Sequence, residues 1–122
     1  MNNTEVVNNT SKYIVKTTGF GSETNQELVD AEKLAEGTDG SKVSLIECYY
    51  LIEGKGTLTI NAASETETQA AGKTVAKPLS LTGKGKYGLR PNQLKYGNDK
   101  IIKLTTDSNV KSYLLVTEFR RN

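Results

Sequence analysis

With no histidine among its 122 residues, the chain lacks the commonest general base near neutral pH and the commonest metal ligand. Ser–His and Cys–His nucleophile pairs are excluded, and so are most zinc, iron and copper sites. Carboxylate chemistry and a single thiol remain. Glu47 stands inside an apolar run at 43–52, where an unpartnered charge is costly. It must face a Lys or Arg, lie where another chain covers it, or act as a catalytic carboxylate; pairing or an interface is the expected role. Cys48, beside it, reads as a buried and inert thiol. One cysteine closes no intrachain disulfide, which fits assembly in a reducing compartment.

Four other spacings resemble chemical motifs and fail on inspection. Gly72-Lys73-Thr74 ends like a phosphate-binding P-loop, but Glu67 occupies the position where the first glycine belongs. The run Gly83-Lys84-Gly85-Lys86-Tyr87-Gly88 combines glycines, which let backbone N–H groups converge, with lysine charge. No helix pattern follows it, so a turn with solvated lysines is expected. Asp107-x-Asn109 with Glu118 mimics a calcium loop. Lys111 falls on a ligand position, Ser112 replaces the required glycine, and Glu118 lies in a strand pattern. Ser108-x-x-Lys111 has the spacing of a penicillin-binding nucleophile pair but falls in a turn rather than on a helix.

The elements that must position these residues read as strands. Residues 43–52 form a long run, apolar on both faces, as in a strand that is central or covered on both sides. A Gly-bearing turn at 53–56 leads to 57–62, where Leu58, Ile60 and Ala62 alternate with Thr57, Thr59 and Asn61; a hairpin is expected. A second hairpin is expected from 100–105 and 112–119 across Asp107-Ser108-Asn109. Shorter strands are expected at 12–18 and 79–81, the latter after Pro78. Thr24-x-x-Glu27 has the form of a capping box, yet the apolar face of 22–36 is thin, so a short strand near 27–29 and then a helical turn are expected. Residues 63–77 read as an exposed polar excursion. The Gly-rich run at 83–88 reads as a structured surface loop closed by Leu89-Arg90-Pro91. The Asn/Thr-rich opening, 1–11, reads as a flexible arm ahead of a β domain at 12–122. The whole is expected to be an antiparallel β-sandwich or jelly-roll-like barrel, with Leu45, Ile46, Leu58, Ile60, Ile102, Leu114 and Val116 mostly buried.

Composition narrows the partners. Sixteen basic and fourteen acidic residues leave a formal charge of +2, too small and too scattered for nucleic acid. Lys84, Lys86 and Arg90, with Lys95 beyond, form the one basic cluster. No stretch approaches the about 20 apolar residues of a membrane span, and no secretory h-region opens the chain. A hydrophobic fraction of 35% without tryptophan gives a modest core, which favours a chain that completes itself against neighbours.

Two family resemblances follow from these residues. Glu47, six residues and Gly54 reproduce the tail of the first cupin motif. The histidines that motif requires before the Glu are replaced here by Lys42, Val43 and Ser44, so the resemblance implies a jelly-roll strand pair without the cupin metal. The second covers more of the chain. The segment order YIVKTT, ELVDAEKL, CYYLIEGKGTLTI, LTGKGKYGLRPNQ, DKIIKLTT and SYLLVTEFRR resembles small virion structural proteins of tailed, often marine, bacteriophages. Its most specific piece is 81–93.

That resemblance implies a non-enzymatic capsid decoration (cement) protein. Such a protein is assembled in the host cytoplasm, sits on the capsid surface, binds the major capsid protein or another virion protein, and self-associates. It implies no catalytic residue, cofactor or metal. Interface energy concentrates in Tyr and Arg, so the six tyrosines, Arg90, Arg120 and Arg121 are interface candidates, together with Lys84, Lys86, Tyr87 and Glu47. A metal-free jelly-roll module binding a sugar or another small ligand is the alternative, and an aromatic-lined pocket would mark it.

Overall fold

The computed structural model describes residues 1–88 and 95–122. Strand accounts for 66% of residues and helix for 3%, so the chain is all β, as its alternation predicts. Two antiparallel sheets make a sandwich. One holds β1 (Asn2–Asn8), β2 (Lys12–Gly19), β12 (Val110–Arg121), β4 (Val43–Gly54) and β10 (Tyr96–Asp99) in that spatial order. In the same sheet β9 (Lys84–Gly88) also pairs with β4. The other holds β3 (Glu23–Asp30), β11 (Ile101–Thr106), β5 (Leu58–Ala62) and β8 (Leu79–Leu81). A separate two-stranded ribbon, β6 (Thr66–Thr68) with β7 (Thr74–Ala76), projects from the body. Between the sheets Val15, Leu45, Cys48, Leu58, Ile60, Ile102, Leu104, Leu115 and Phe119 are completely buried. The Tyr13 and Phe119 rings stack with centroids 6.3 Å apart.

The two expected hairpins are inter-sheet arches. β4 pairs with β12, β9 and β10 but not with β5, and β11 pairs with β3 and β5 but not with β12. Each turn therefore carries the chain from one layer to the other, so Leu58 and Ile60 meet the apolar face of β4 across the core instead of beside it. Gly54 makes this possible. Its φ of +98° suits glycine alone, and a Cβ there would collide with the Asn109 carbonyl oxygen. The two arches lie side by side and bond to each other. The Thr57 N–H donates to the Asp107 carboxylate at 2.9 Å, and the Asp107 N–H donates to the Thr57 carbonyl at 3.2 Å.

Three further expectations are corrected. Residues 2–8 are not a free arm: β1 pairs along β2, and Thr17 Oγ1 donates to Asn3 Oδ1 at 2.7 Å. An edge strand exposed on both faces needs no hydrophobic period, so its polar sequence hid it. Asn9 closes this hairpin, its side-chain carbonyl accepting the N–H groups of Ser11 and Lys12. Second, residues 84–88 are a strand, not a loop. Gly85 lies against the Tyr50 ring, where a Cβ would come within 3.0 Å of the hydroxyl; glycine in a strand marks such an approach. Third, Ile46, Leu114 and Val116 are only half-buried, while Tyr113, Leu115, Thr117 and Phe119 face the core.

A β-bulge explains the apolar run in β4. Glu118 lies opposite Glu47 but Phe119 lies opposite Leu45, so Ile46 is the extra residue. The bulge switches the inward parity from Val43 and Leu45 to Cys48 and Ile52. Residues 22–36 behave as expected in kind, with strand β3 and then a 3-10 turn at Ala31–Lys33. The turn is capped by Asp30, which accepts the Glu32 N–H at 3.1 Å, and not by Thr24. Arg90 and the rest of 89–94 lie outside the described residues.

Candidate functional site

The outer face of the six-stranded sheet is the site these strands build. Across β9, β4, β12, β2 and β1 the register sets Lys84, Leu51, Leu114, Thr18 and Asn2 in one row. The next row is Lys86, Tyr49, Val116, Lys16 and Thr4, followed by Gly88, Glu47, Glu118, Ile14 and Val7. Tyr49 is 50% and Leu51 44% exposed, and Leu114, Val116 and Ile14 beside them are half-buried. The centre of the face is thus an aliphatic and aromatic strip, framed by lysines on both sides and by two carboxylates below. The inner face of the same strands is core, so the strip is held on a rigid backing.

The expected partner of Glu47 is Lys86, whose ammonium donates to the carboxylate at 2.8 Å. The same nitrogen lies 5.1 Å from the centroid of the Tyr49 ring, a cation–π distance. The Lys86 ammonium, and after it the Tyr49 hydroxyl, hold Glu47 below the usual carboxylate range, and Glu47 in turn raises Lys86. Without Lys86, Glu47 would stand directly opposite Glu118 as a like-charge cross-strand pair, which is destabilising.

Of the interface candidates, Lys84, Lys86 and Glu47 meet on this face. Tyr87 is in the same strand as the lysines but opposite Cys48, turned toward the core, against which it packs. Arg120 is exposed at the far end of β12. Arg121 acts as an internal clamp, donating to the carbonyls of Asn9 and Ala35 at 2.7 Å each. Among the tyrosines, Tyr13, Tyr96 and Tyr113 are buried. Burial raises the Tyr113 phenol, and the adjacent Glu23, which accepts its hydroxyl at 3.1 Å, raises it further. Burial also pushes the Cys48 thiol up to about 12, the chemistry of an inert thiol.

Leu51, Leu114, Val116 and Glu118 were not anticipated on this face. In β12 both parities are apolar, but Ser112, Glu118 and Arg120 share theirs with Leu114 and Val116. That polar company is the signal that marks the solvent side. Among the described residues, no three carboxylate or thiol side chains are grouped so as to hold a metal ion, and no helix is long and apolar enough to cross a membrane.

The molecule also has a concave site. A cavity of about 450 Å³ lies at the root of the ribbon, lined by Ala76, Lys77 and Pro78 and by Tyr96, Ile101 and Lys103. Its volume is in the range of small-ligand sites, with one aromatic side chain in the wall. By fold the chain is an antiparallel β-sandwich with a partly apolar outer face on one sheet and this cavity at the ribbon root. Compared with known proteins, it matches no family model, no curated protein and no solved structure.

Proposed function

We propose that this chain is a non-enzymatic structural protein of a bacteriophage particle, a decoration protein that binds the assembled shell through the outer face of its six-stranded sheet. The observation that carries the reading is the strip of Tyr49, Leu51, Leu114 and Val116. A tyrosine and a leucine half-exposed side by side on the six-stranded sheet, flanked by Leu114 and Val116, make a contiguous apolar strip of the kind a docking surface uses. Aromatic anchors backed by a rigid scaffold lose little side-chain entropy on binding and carry a large share of interface energy. The lysines and carboxylates around the strip supply the polar rim that sets register and rejects wrong partners. The choice of the shell as partner rests on the resemblance of the segment order to small phage virion proteins.

The mechanism is mass action. A protein that binds only the assembled lattice stabilises it by RT ln(1 + [L]/Kd), about 2.7 kcal/mol per site at a hundredfold excess over Kd. Self-association on the shell would use other surfaces of the sandwich, where the lattice brings neighbouring copies together.

The test is co-sedimentation of the purified protein with particles stripped of it. The native chain should pellet with the particles and raise their disruption temperature. Leu51→Asp, a surface change that leaves the core intact, should stay in the supernatant while melting like the native protein. If Leu51→Asp decorated particles at native occupancy, the outer face would not be the contact.

A further inference from the structure

The cavity at the ribbon root has a chemistry of its own. The ribbon is all but fully exposed, and an isolated two-stranded hairpin is marginal in water, so its position depends on its root. There the Tyr96 hydroxyl is shared between the carbonyls of Ile60 and Lys77 at 2.9 Å each. The Lys77 N–H donates to the Glu65 carbonyl at 3.0 Å, and the Gly97 N–H to the Glu65 carboxylate at 2.8 Å. The cavity is therefore preformed and not a gap between loose elements. One wall is apolar: Ile101 turned out from β11, Pro78, Ala76 and the Tyr96 ring.

The charges around that wall do not balance. Three lysines line it, Lys77, Lys100 and Lys103, against one carboxylate, Asp99. The Lys100 ammonium is engaged by Glu32 at 3.2 Å. Asp99 accepts from the Ser64 N–H and hydroxyl and from the Asn98 N–H, so backbone and hydroxyl donors already answer its charge. Among the described residues no ion pair joins Lys77 or Lys103 to a carboxylate, although Glu27 stands opposite Lys103 across the β3–β11 pair and offsets part of its charge. Two cations beside an apolar wall complement an anion with an apolar body. A neutral sugar would make no use of the lysine charge and would set its hydroxyls against Ile101 and Pro78.

We propose that this cavity binds a small organic carboxylate carrying a flat apolar ring, with Lys77 and Lys103 receiving the carboxylate and Ile101, Pro78 and Ala76 the ring. This site is independent of the outer face of the other sheet, and binding here requires no shell.

Naphthalene-2-carboxylate is a suitable probe, with naphthalene-2-carboxamide as its uncharged twin. Titrated into the ¹⁵N-labelled full-length protein, the carboxylate should shift the backbone amides of Ala76, Lys77, Ile101 and Lys103. It should bind about tenfold more tightly than the carboxamide, and added salt should narrow that gap. Lys77→Gln with Lys103→Gln, both at exposed positions, should abolish the preference without changing the melting temperature. Three results would overturn the proposal: no shift of these amides at millimolar carboxylate, equal binding of the two probes, or shifts confined to Tyr49 and Leu51.

Discussion

The two faces of the six-stranded sheet are built from the same strands, one residue apart, and behave oppositely. Phe119 is completely buried while its neighbour Glu118 faces out; Cys48 is buried while Tyr49 is half exposed. Hydrophobicity alone does not separate them, since Leu114 and Leu115 are the same residue type and lie on opposite faces. What separates them is company. Inward positions neighbour mostly apolar groups and threonines, and outward apolar positions share their strand faces with Glu, Lys, Ser or Arg. The core face is closed over by the second sheet, and the outer face mixes half-exposed apolar side chains with charged ones.

The sharpest contrast comes from truncating one residue on each face. Phe119→Ala should cost about 3–5 kcal/mol, from lost burial and the cavity left against Tyr13. Leu51→Ala should cost under about 0.5 kcal/mol, as exposed substitutions do. Urea denaturation of the two variants reads both values, and similar losses would erase the distinction between the faces.

Thiol chemistry probes the same boundary one residue from Tyr49. With its thiol raised from 9.0 to about 12 by burial, Cys48 should react with a disulfide reagent at pH 8 more than about tenfold more slowly in the native protein than in the unfolded one, from a lower thiolate fraction partly offset by higher nucleophilicity and from lost access. Rapid native labelling would show that β4 opens readily.

Thr117 is a flaw in the inner face that sharpens the account. Its hydroxyl is buried with no hydrogen-bond partner, so the isosteric Thr117→Val should be neutral to stabilising, by up to about 2 kcal/mol. A loss of stability would mean that the hydroxyl is satisfied by a buried water.

The smallest effect belongs to the outer ion pair. Glu47 is lowered from 4.5 and Lys86 raised from 10.5. Their contribution is therefore present between those values, fading as pH falls through the folded Glu47 pKa or rises through that of Lys86. Glu47→Gln should remove this dependence at a cost under about 1 kcal/mol, because the pair is partly solvated and Glu118 opposes it across the strand. Thermal melts from about pH 3 to about pH 12 would expose a larger effect if one exists.

Much of this architecture can be read from the residues. The alternation of Leu58, Ile60 and Ala62, the strand after Pro78, and the pairing of Glu47 with a lysine all follow from local chemistry. What sequence conceals is which strand neighbours which. An arch and a hairpin have the same glycine-bearing turn and the same flanking alternation, and only the partners of β4 and β11 distinguish them. The bulge at Ile46 hides for a similar reason: a parity switch looks like a strand apolar on both faces. The polar edge strand β1 carries no period because neither of its faces enters the core. Of the outer face, sequence isolates Glu47, Lys84 and Lys86, but the aliphatic strip that joins them appears only when β12 is laid beside β4 in register.

The most direct test of the central claim is cryo-electron microscopy of particles of the phage proposed to carry this protein. The account predicts sandwich-shaped density on the exterior of the shell, repeated with the lattice, with Tyr49, Leu51, Leu114 and Val116 buried against a shell protein and the β6–β7 ribbon on another side. A particle without this chain, or one in which that strip faces solvent, would contradict it.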